Sequence, residues 1–289
     1  MQTVAEILNK TSGYLKRKGL ENPRLNAEAM LEHVLGLKGI DLYLDHDRPM
    51  QDHELMAFRS LVKRRLAGCP VQYLTGETEF FSLSFQISSD ALIPRPETEI
   101  LVEAVLDLLK SRARPLKVVD LGTGSGIIAI NLAVHLGCAQ LWATDCSREA
   151  LALARRNAQR HGVGDRISFH QGDLYNPLRG LEGAFAAVVC NPPYVSSGQL
   201  EHLPREIRLH EPLVALDGGS DGLDVIRRIV IGAPSFLAAG GVLALEVGAG
   251  QASSVEQSIV ETKAFSESWV VEDYARIERV VLAERNPSG

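Results

Sequence analysis

Asn191-Pro192-Pro193-Tyr194 follows directly on the apolar run Ala184 to Cys190, and its residue types suit one chemistry, the handling of a planar NH2 group. An amide nitrogen is a poor nucleophile because its lone pair is delocalised into the carbonyl. The side-chain oxygen of Asn191 and the backbone carbonyl of Pro192 can each accept one N–H of such a group, fixing its plane and drawing its lone pair toward an electrophile. Pro192 has no N–H of its own and so presents only an acceptor. The ring of Tyr194 can stack on the planar group and stabilise positive charge through its face. Transfer of this kind works by positioning and electrostatics, without a metal or a covalent enzyme intermediate. Taken alone, Asn-Pro-Pro is only a turn signal.

What gives it weight is Asp120-Leu121-Gly122-Thr123-Gly124-Ser125-Gly126, well upstream, which closes an earlier apolar run and leads into an apolar helical pattern. Glycines there let the backbone turn sharply and approach a ligand at the carboxyl end of a strand. The spacing is G-x-G-x-G. A dinucleotide fingerprint would need glycine where the chain has Ile127, and no Gly-Lys-Ser/Thr follows, so neither NAD, FAD nor a P-loop nucleotide fits. A cofactor carrying adenosine and an amino acid without phosphate fits better. S-adenosyl-L-methionine is such a molecule, and its methyl group is the electrophile an NH2 held at Asn191 could attack. Asp145 ends the next apolar segment and stands where an acidic residue accepts from both ribose hydroxyls, although it could instead cap the helix that follows, a place Ser147 fills equally well. Asp173 either receives an adenine amino group or caps the turn before Pro177.

These residues need a scaffold that delivers them to one edge. The apolar segments Leu116 to Leu121, Gln140 to Thr144, Ile167 to His170, Ala184 to Cys190 and Val242 to Val247 alternate with helical patterns, as strands of a buried parallel sheet do. Trp269 to Val271 and Ile277 to Ala283 read as a closing antiparallel hairpin. The fold class is therefore α/β, a Rossmann-like, mostly parallel sheet of seven strands. Before it, residues 1–75 show the 3.6 period of short amphipathic helices (Ile7 and Leu8; Met30 and Leu31; Phe58 and Val62), whose apolar faces can only meet one another in a small bundle. Residues 76–90 read as an aromatic-rich hairpin linker, and 91–289 as the α/β domain, with a helix starting near Glu99 and a polar tail from Asn286.

Composition narrows the partners. The formal net charge is −6, the first 90 residues carrying 11 basic against 12 acidic side chains and the rest 19 against 24. Neither part is basic, which speaks against a large nucleic-acid footprint. The basic runs Lys16 to Lys18 and Arg59 to Arg65 read as solvated helix faces. Four cysteines without C-x-x-C spacing, no secretory start and no long apolar run lead to the expectation of a cytoplasmic protein with free thiols and no membrane span. The histidines show no metal-ligand spacing. The polar segment Gly198 to Gly222 suits a loop that covers substrate.

The ordered set Gln72 to Gly76, Leu92-Ile93-Pro94-Arg95-Pro96-Glu97-Thr98-Glu99, Asp120 to Gly126, Asp145 and Asn191 to Tyr194 resembles the bacterial peptide chain release factor glutamine methyltransferases over nearly the whole chain. The resemblance implies N5-methylation of the glutamine in the Gly-Gly-Gln tip of class 1 release factors, with S-adenosylmethionine held by Gly122, Thr123, Gly124, Ser125, Gly126 and Asp145. It implies that Asn191, Pro192, Pro193 and Tyr194 bind the glutamine amide and that the bundle helps hold the release factor. Where relatives often place a tryptophan against the adenine this chain has Leu174, which can still pack apolar surface there. Two other readings compete, an adenine-N6 or guanine-N2 nucleic-acid methyltransferase, whose exocyclic amine offers the same two donors, and a non-catalytic adaptor that keeps the fold.

Overall fold

The computed structural model of the chain describes residues 2–112 and 115–287; the last two residues of the polar tail lie outside that range. Its contacts form two units. One comprises Met1–Glu77 together with Pro204–His210, a return that a linear division at residues 75 and 90 does not contain; the other comprises Thr78–Leu203 and Glu211–Gly289.

The first unit is helical: α1 (Val4–Arg17), α2 (Pro23–Leu35), α3 (Ile40–Leu44), α4 (Asp52–Leu66) and α5 (Val71–Thr75). Several of the starts have a local cause. The Thr3 hydroxyl accepts the Glu6 N–H ahead of α1, and Pro23 opens α2 where its missing N–H costs nothing. Gln51 and Glu54 form a reciprocal capping box on α4. Leu15, Met30, Leu31 and Phe58 are buried in one cluster. Arg65 departs from the reading of a solvated basic face. It is buried, donating to Asn26 Oδ1 at 2.7 Å and pairing with Glu206 at 2.8 Å.

The second unit opens with a two-stranded hairpin, β1 (Glu77–Phe80) and β2 (Leu83–Gln86), then α6 (Pro96–Lys110). The helix begins three residues before the expected Glu99, because Pro96 occupies its first turn, where the ring holds φ at a helical value and no N–H is needed. There follow β3 (Lys117–Leu121), α7 (Ile127–His135), β4 (Gln140–Asp145), α8 (Arg148–Arg160), β5 (Ile167–Gln171) and β6 (Phe185–Cys190). After the short α9 (Arg205–His210), which belongs with the first unit, come α10 (Asp224–Phe236), β7 (Leu237–Glu246), α11 (Ala252–Thr262), β8 (Phe265–Glu272) and β9 (Glu278–Arg285).

The seven strands lie in the order β5-β4-β3-β6-β7-β9-β8, parallel through β7 and closed by the antiparallel β9 and β8. One apolar core, with α6 and α7, covers one face and another, with α10 and α11, the opposite face, so this is a doubly wound sheet. β7 starts five residues before the expected Val242. Its Gly240-Gly241 pair sits at an irregularity in pairing with β6, where a side chain on Gly241 would come within 2.8 Å of the Phe185 carbonyl. Among the described residues no helix is long and apolar enough to cross a membrane, and no cluster of three or more candidate ligands could hold a metal ion.

Candidate active site

Strand order reverses between β3 and β6: from β3 the chain moves outward to β4 and β5, then returns to β6 on the other side. Such a switch point leaves a crevice at the carboxyl ends of the two strands. Here it is a cavity of about 390 Å³, lined by the loop after β3, the corner after β6 and the segment around Pro94. Its volume lies in the range of small-molecule sites.

The loop owes its path to three left-handed glycines, Gly122, Gly124 and Gly126, with φ of 68°, 56° and 86°. Gly122, Thr123, Gly124 and Ser125 line the cavity. Gly126 does not. Its role is close packing, since a side chain there would lie 2.9 Å from Ile130 Cδ1 and 3.1 Å from Ala154 Cβ. Asp120 fastens the loop from below, accepting from the Thr123 hydroxyl at 2.6 Å and the Ala129 N–H at 3.2 Å. Burial pushes its carboxyl up to about 7 against those bonds.

Asp145 reaches across to the loop: Oδ2 accepts the Gly124 N–H and Oδ1 the Ser147 N–H, each at 2.8 Å. The helix cap is Ser147, whose hydroxyl accepts the Ala150 N–H at 3.0 Å. Asp145 is therefore oriented rather than consumed, because a carboxylate has about four acceptor positions and these bonds leave others open. Asp173 caps nothing with its side chain but pairs with Arg228. Leu174 lines the cavity in the left-handed region, φ 47°, a conformation uncommon outside glycine.

At the corner, Asn191, Pro192 and Pro193 line the cavity. Tyr194 is not among the lining residues. Its ring packs against the core, its hydroxyl donates to Glu246 Oε1 at 3.4 Å, and its carbonyl accepts from Gln251 Nε2 at 3.0 Å. Burial and the neighbouring Glu246 push its phenol well above the ordinary value. Asn191 Nδ2 donates to the Thr98 hydroxyl at 3.0 Å, and that hydroxyl donates to Glu246 Oε2 at 2.6 Å. Burial pushes the Glu246 carboxyl up to about 7.

Thr98, Glu246 and Gln251 are thus part of the site although the sequence assigns them no role. A signal exists for one of them, since Glu246 is a charge directly following the apolar Val242 to Leu245 on a buried strand. Nothing in the sequence links Arg95 to Glu211. They pair at 2.6 Å, with the Ile93 N–H also donating to Glu211.

The segment after the corner is a loop with a closed neck. Val195 N–H donates to Leu216 O at 3.0 Å, Gly218 N–H to Val195 O at 2.8 Å and Ser197 N–H to Gly219 O at 2.8 Å. Gly218 and Gly222 allow the closure, for side chains there would run into the carbonyls of Pro193 and Tyr194.

The wall suits a particular ligand. Among the described lining residues both arginines, Arg95 and Arg228, are already paired with carboxylates. The wall further offers backbone from a glycine loop, acceptor positions on Asp145, the carboxylates of Asp90 and Asp217, and apolar surface from Leu92, Ile127 and Leu174. An adenosine-bearing molecule without phosphate fits that donor and acceptor set.

Residues 6–76 match the family model described as PrmC N-terminal domain, and residues 96–207 match the methyltransferase small domain. A release factor glutamine methyltransferase of Geobacter sulfurreducens is 43% identical over 279 residues, covering 96% of this chain and 95% of that one. One from Moorella thermoacetica is 41% identical over 283 residues, covering 98% and 99%. Among solved structures, the hMettl16 catalytic domain in complex with an RNA hairpin superposes with a TM-score of 0.57 at 16% identity, covering 96% of this chain and 91% of that one. A methyltransferase from Pyrococcus furiosus gives 0.51 at 17%, covering 78% and 97%. These two likenesses speak to the fold alone.

Proposed function

Because this chain belongs to the release factor glutamine methyltransferase family, we propose that it transfers a methyl group to the side-chain amide nitrogen of the glutamine in the Gly-Gly-Gln tip of class 1 release factors. The observation that carries the reading is the corner itself, where Asn191 and Pro192 both line the cavity and Asn191 Nδ2 donates one N–H to Thr98, an anchor that leaves Oδ1 as an acceptor. Oδ1 of Asn191 and the carbonyl of Pro192 would together match the two N–H donors of a primary amide and repel a group that can only accept.

Gly122, Thr123, Gly124, Ser125, Asp145 and Leu174 would hold S-adenosylmethionine, with Asp145 on the ribose and Leu174 against the adenine. Bound there, the cofactor supplies an electrophilic methyl group and leaves as S-adenosylhomocysteine. Asn191 and Pro192 would fix the plane of the amide through its two N–H groups, so that nitrogen forms the new N–C bond as the donor's S–C bond breaks, and the surplus proton is then released to solvent. Tyr194 supports the corner from behind through Glu246 rather than by stacking on the amide. The helical unit would serve to hold the protein substrate, and the reaction would take place in the cytoplasm, where release factors act.

The decisive experiment incubates the protein with labelled S-adenosylmethionine and, separately, a class 1 release factor, its Gly-Gly-Ala variant, duplex DNA and rRNA. Label should enter only the Gly-Gly-Gln protein. Label in nucleic acid instead would replace this reading with the nucleobase one, which the absence of a basic surplus in either part of the sequence disfavours.

A further inference from the structure

We infer that Thr98 and Glu246 are positioning residues for Asn191, holding its side-chain amide in the one orientation that turns Oδ1 toward an incoming NH2 group. The inference rests on the reading of the corner given above and deepens it.

Two hydrogen bonds, each with a fixed direction, set the orientation. A hydroxyl has one proton. That of Thr98 is given to Glu246 Oε2 at 2.6 Å, so toward Asn191 the oxygen shows only lone pairs. Lone pairs can accept from Asn191 Nδ2, and they do, at 3.0 Å. Flipping the Asn191 amide, so that Oδ1 and Nδ2 change places, would set Oδ1 against those lone pairs and lose the bond. It would also point two N–H donors at a substrate that itself offers donors. The flipped form is unproductive, and the network selects against it.

Burial makes the selection strong. Thr98 is 0% and Glu246 1% exposed, so no bulk water can supply a replacement donor. The other carboxylate oxygen of Glu246 is occupied by the Tyr194 hydroxyl at 3.4 Å. In its ionised form Glu246 accepts from both sides, and donation then runs one way, from Asn191 through Thr98 to the carboxylate. The three residues come from α6, the end of β6 and the end of β7, so the orientation of one amide is set by the packing of three elements. No sequence neighbour of Asn191 could do this.

The test uses the full chain with Thr98→Val, which keeps the shape and removes the hydroxyl, and Thr98→Ser, which keeps the hydroxyl. Thr98→Val should lower kcat on a release factor on the order of 10- to 100-fold, as expected of a misplaced reacting group, while the Kd for S-adenosylmethionine stays within about twofold. Thr98→Ser should restore kcat to within about threefold of the parent. A second readout needs no turnover: the side-chain NH2 protons of Asn191, followed by 15N-edited NMR, should exchange slowly with solvent in the parent and in Thr98→Ser, and fast in Thr98→Val. Parent-like kcat or parent-like protection in Thr98→Val would overturn the inference. So would equal loss in both variants, or a parallel loss of cofactor affinity, which marks a merely structural role. A parent protein inactive on release factors sinks the functional reading instead, and the exchange measurement then decides the positioning role on its own.

Discussion

Leu121 and Cys190 are register partners on neighbouring parallel strands, and the Cys190 thiol donates to the Leu121 carbonyl at 2.9 Å. The next residues on either strand are Gly122 and Asn191, so the cofactor loop and the corner leave the sheet side by side. On the proposed reading, proximity of the two reacting partners is a property of strand register.

Asn191→Ala removes one of the two acceptors at the corner. Turnover should fall by about 100-fold or more, since the amide loses its fixed plane. Binding of S-adenosylmethionine, measured by calorimetry, should be unchanged. Parent-like turnover would remove Asn191 from the mechanism.

Gly126→Ala should cost more than Gly122→Ala. Both positions have positive φ, but only at Gly126 does a side chain meet neighbours, Ile130 and Ala154, whereas nothing lies within 4 Å at Gly122. The strained and crowded site should lose about 1–3 kcal/mol of stability, seen in denaturant melts. Equal losses at the two positions would show that backbone strain alone governs the loop.

Glu246 supplies a pH dependence whose sign can be worked out. Burial raises its carboxyl from an ordinary 4.5 to about 7, Glu97 adding to the shift while Thr98, Tyr194 and Arg279 oppose it. The folded value lies above the unfolded one, so its contribution is complete below about 4.5 and is lost as pH rises through about 7. Glu246→Gln stays neutral throughout. Its melting temperature should gain on the parent as pH rises across that window, and parallel curves would contradict the assignment. Asp120, also raised to about 7 by burial, adds a like slope to both proteins.

Arg95→Ala strands a buried carboxylate. The Glu211 side chain is 2% exposed and Arg95 27%, so removing the cation leaves Glu211 with the Ile93 N–H as its remaining donor. Stability should drop by about 2–4 kcal/mol. Adding Glu211→Gln should recover part of the loss, because a neutral amide is cheaper to bury. No recovery in the double variant would place the effect in lost packing of the arginine stem.

Much of this was legible in the sequence, and the reason is periodicity. Strands buried on both faces read as apolar runs, and the glycine loop and the Asn-Pro-Pro corner each ended one of them. The early start of the seventh strand was hidden because Gly240-Gly241 interrupts the apolar run that begins again at Val242. The second layer of the site was hidden for a different reason. Thr98 and Asn191 are 93 residues apart, and Thr98 and Glu246 are 148 apart. A hydroxyl on a helix announces nothing until folding decides which acceptor it meets. Tyr194 shows the converse, since its place in the corner marked it as a stacking ring while its hydroxyl turned inward to Glu246.

The neck of the loop after the corner divides that loop into two territories for protein engineering. Beyond the neck, which ends at Ser197 with its bonds to Gly219 and Asp217, residues 198–202 are mostly exposed, so altered length or charge there should leave the corner undisturbed. From Gly218 to Gly222 the reverse holds, because the backbone at both ends lies directly on the carbonyls of Pro193 and Tyr194 and leaves no room there for even a methyl group. Retargeting the enzyme to a different protein tip is therefore a matter of grafting at the outer turn, and the return leg is the part to leave alone.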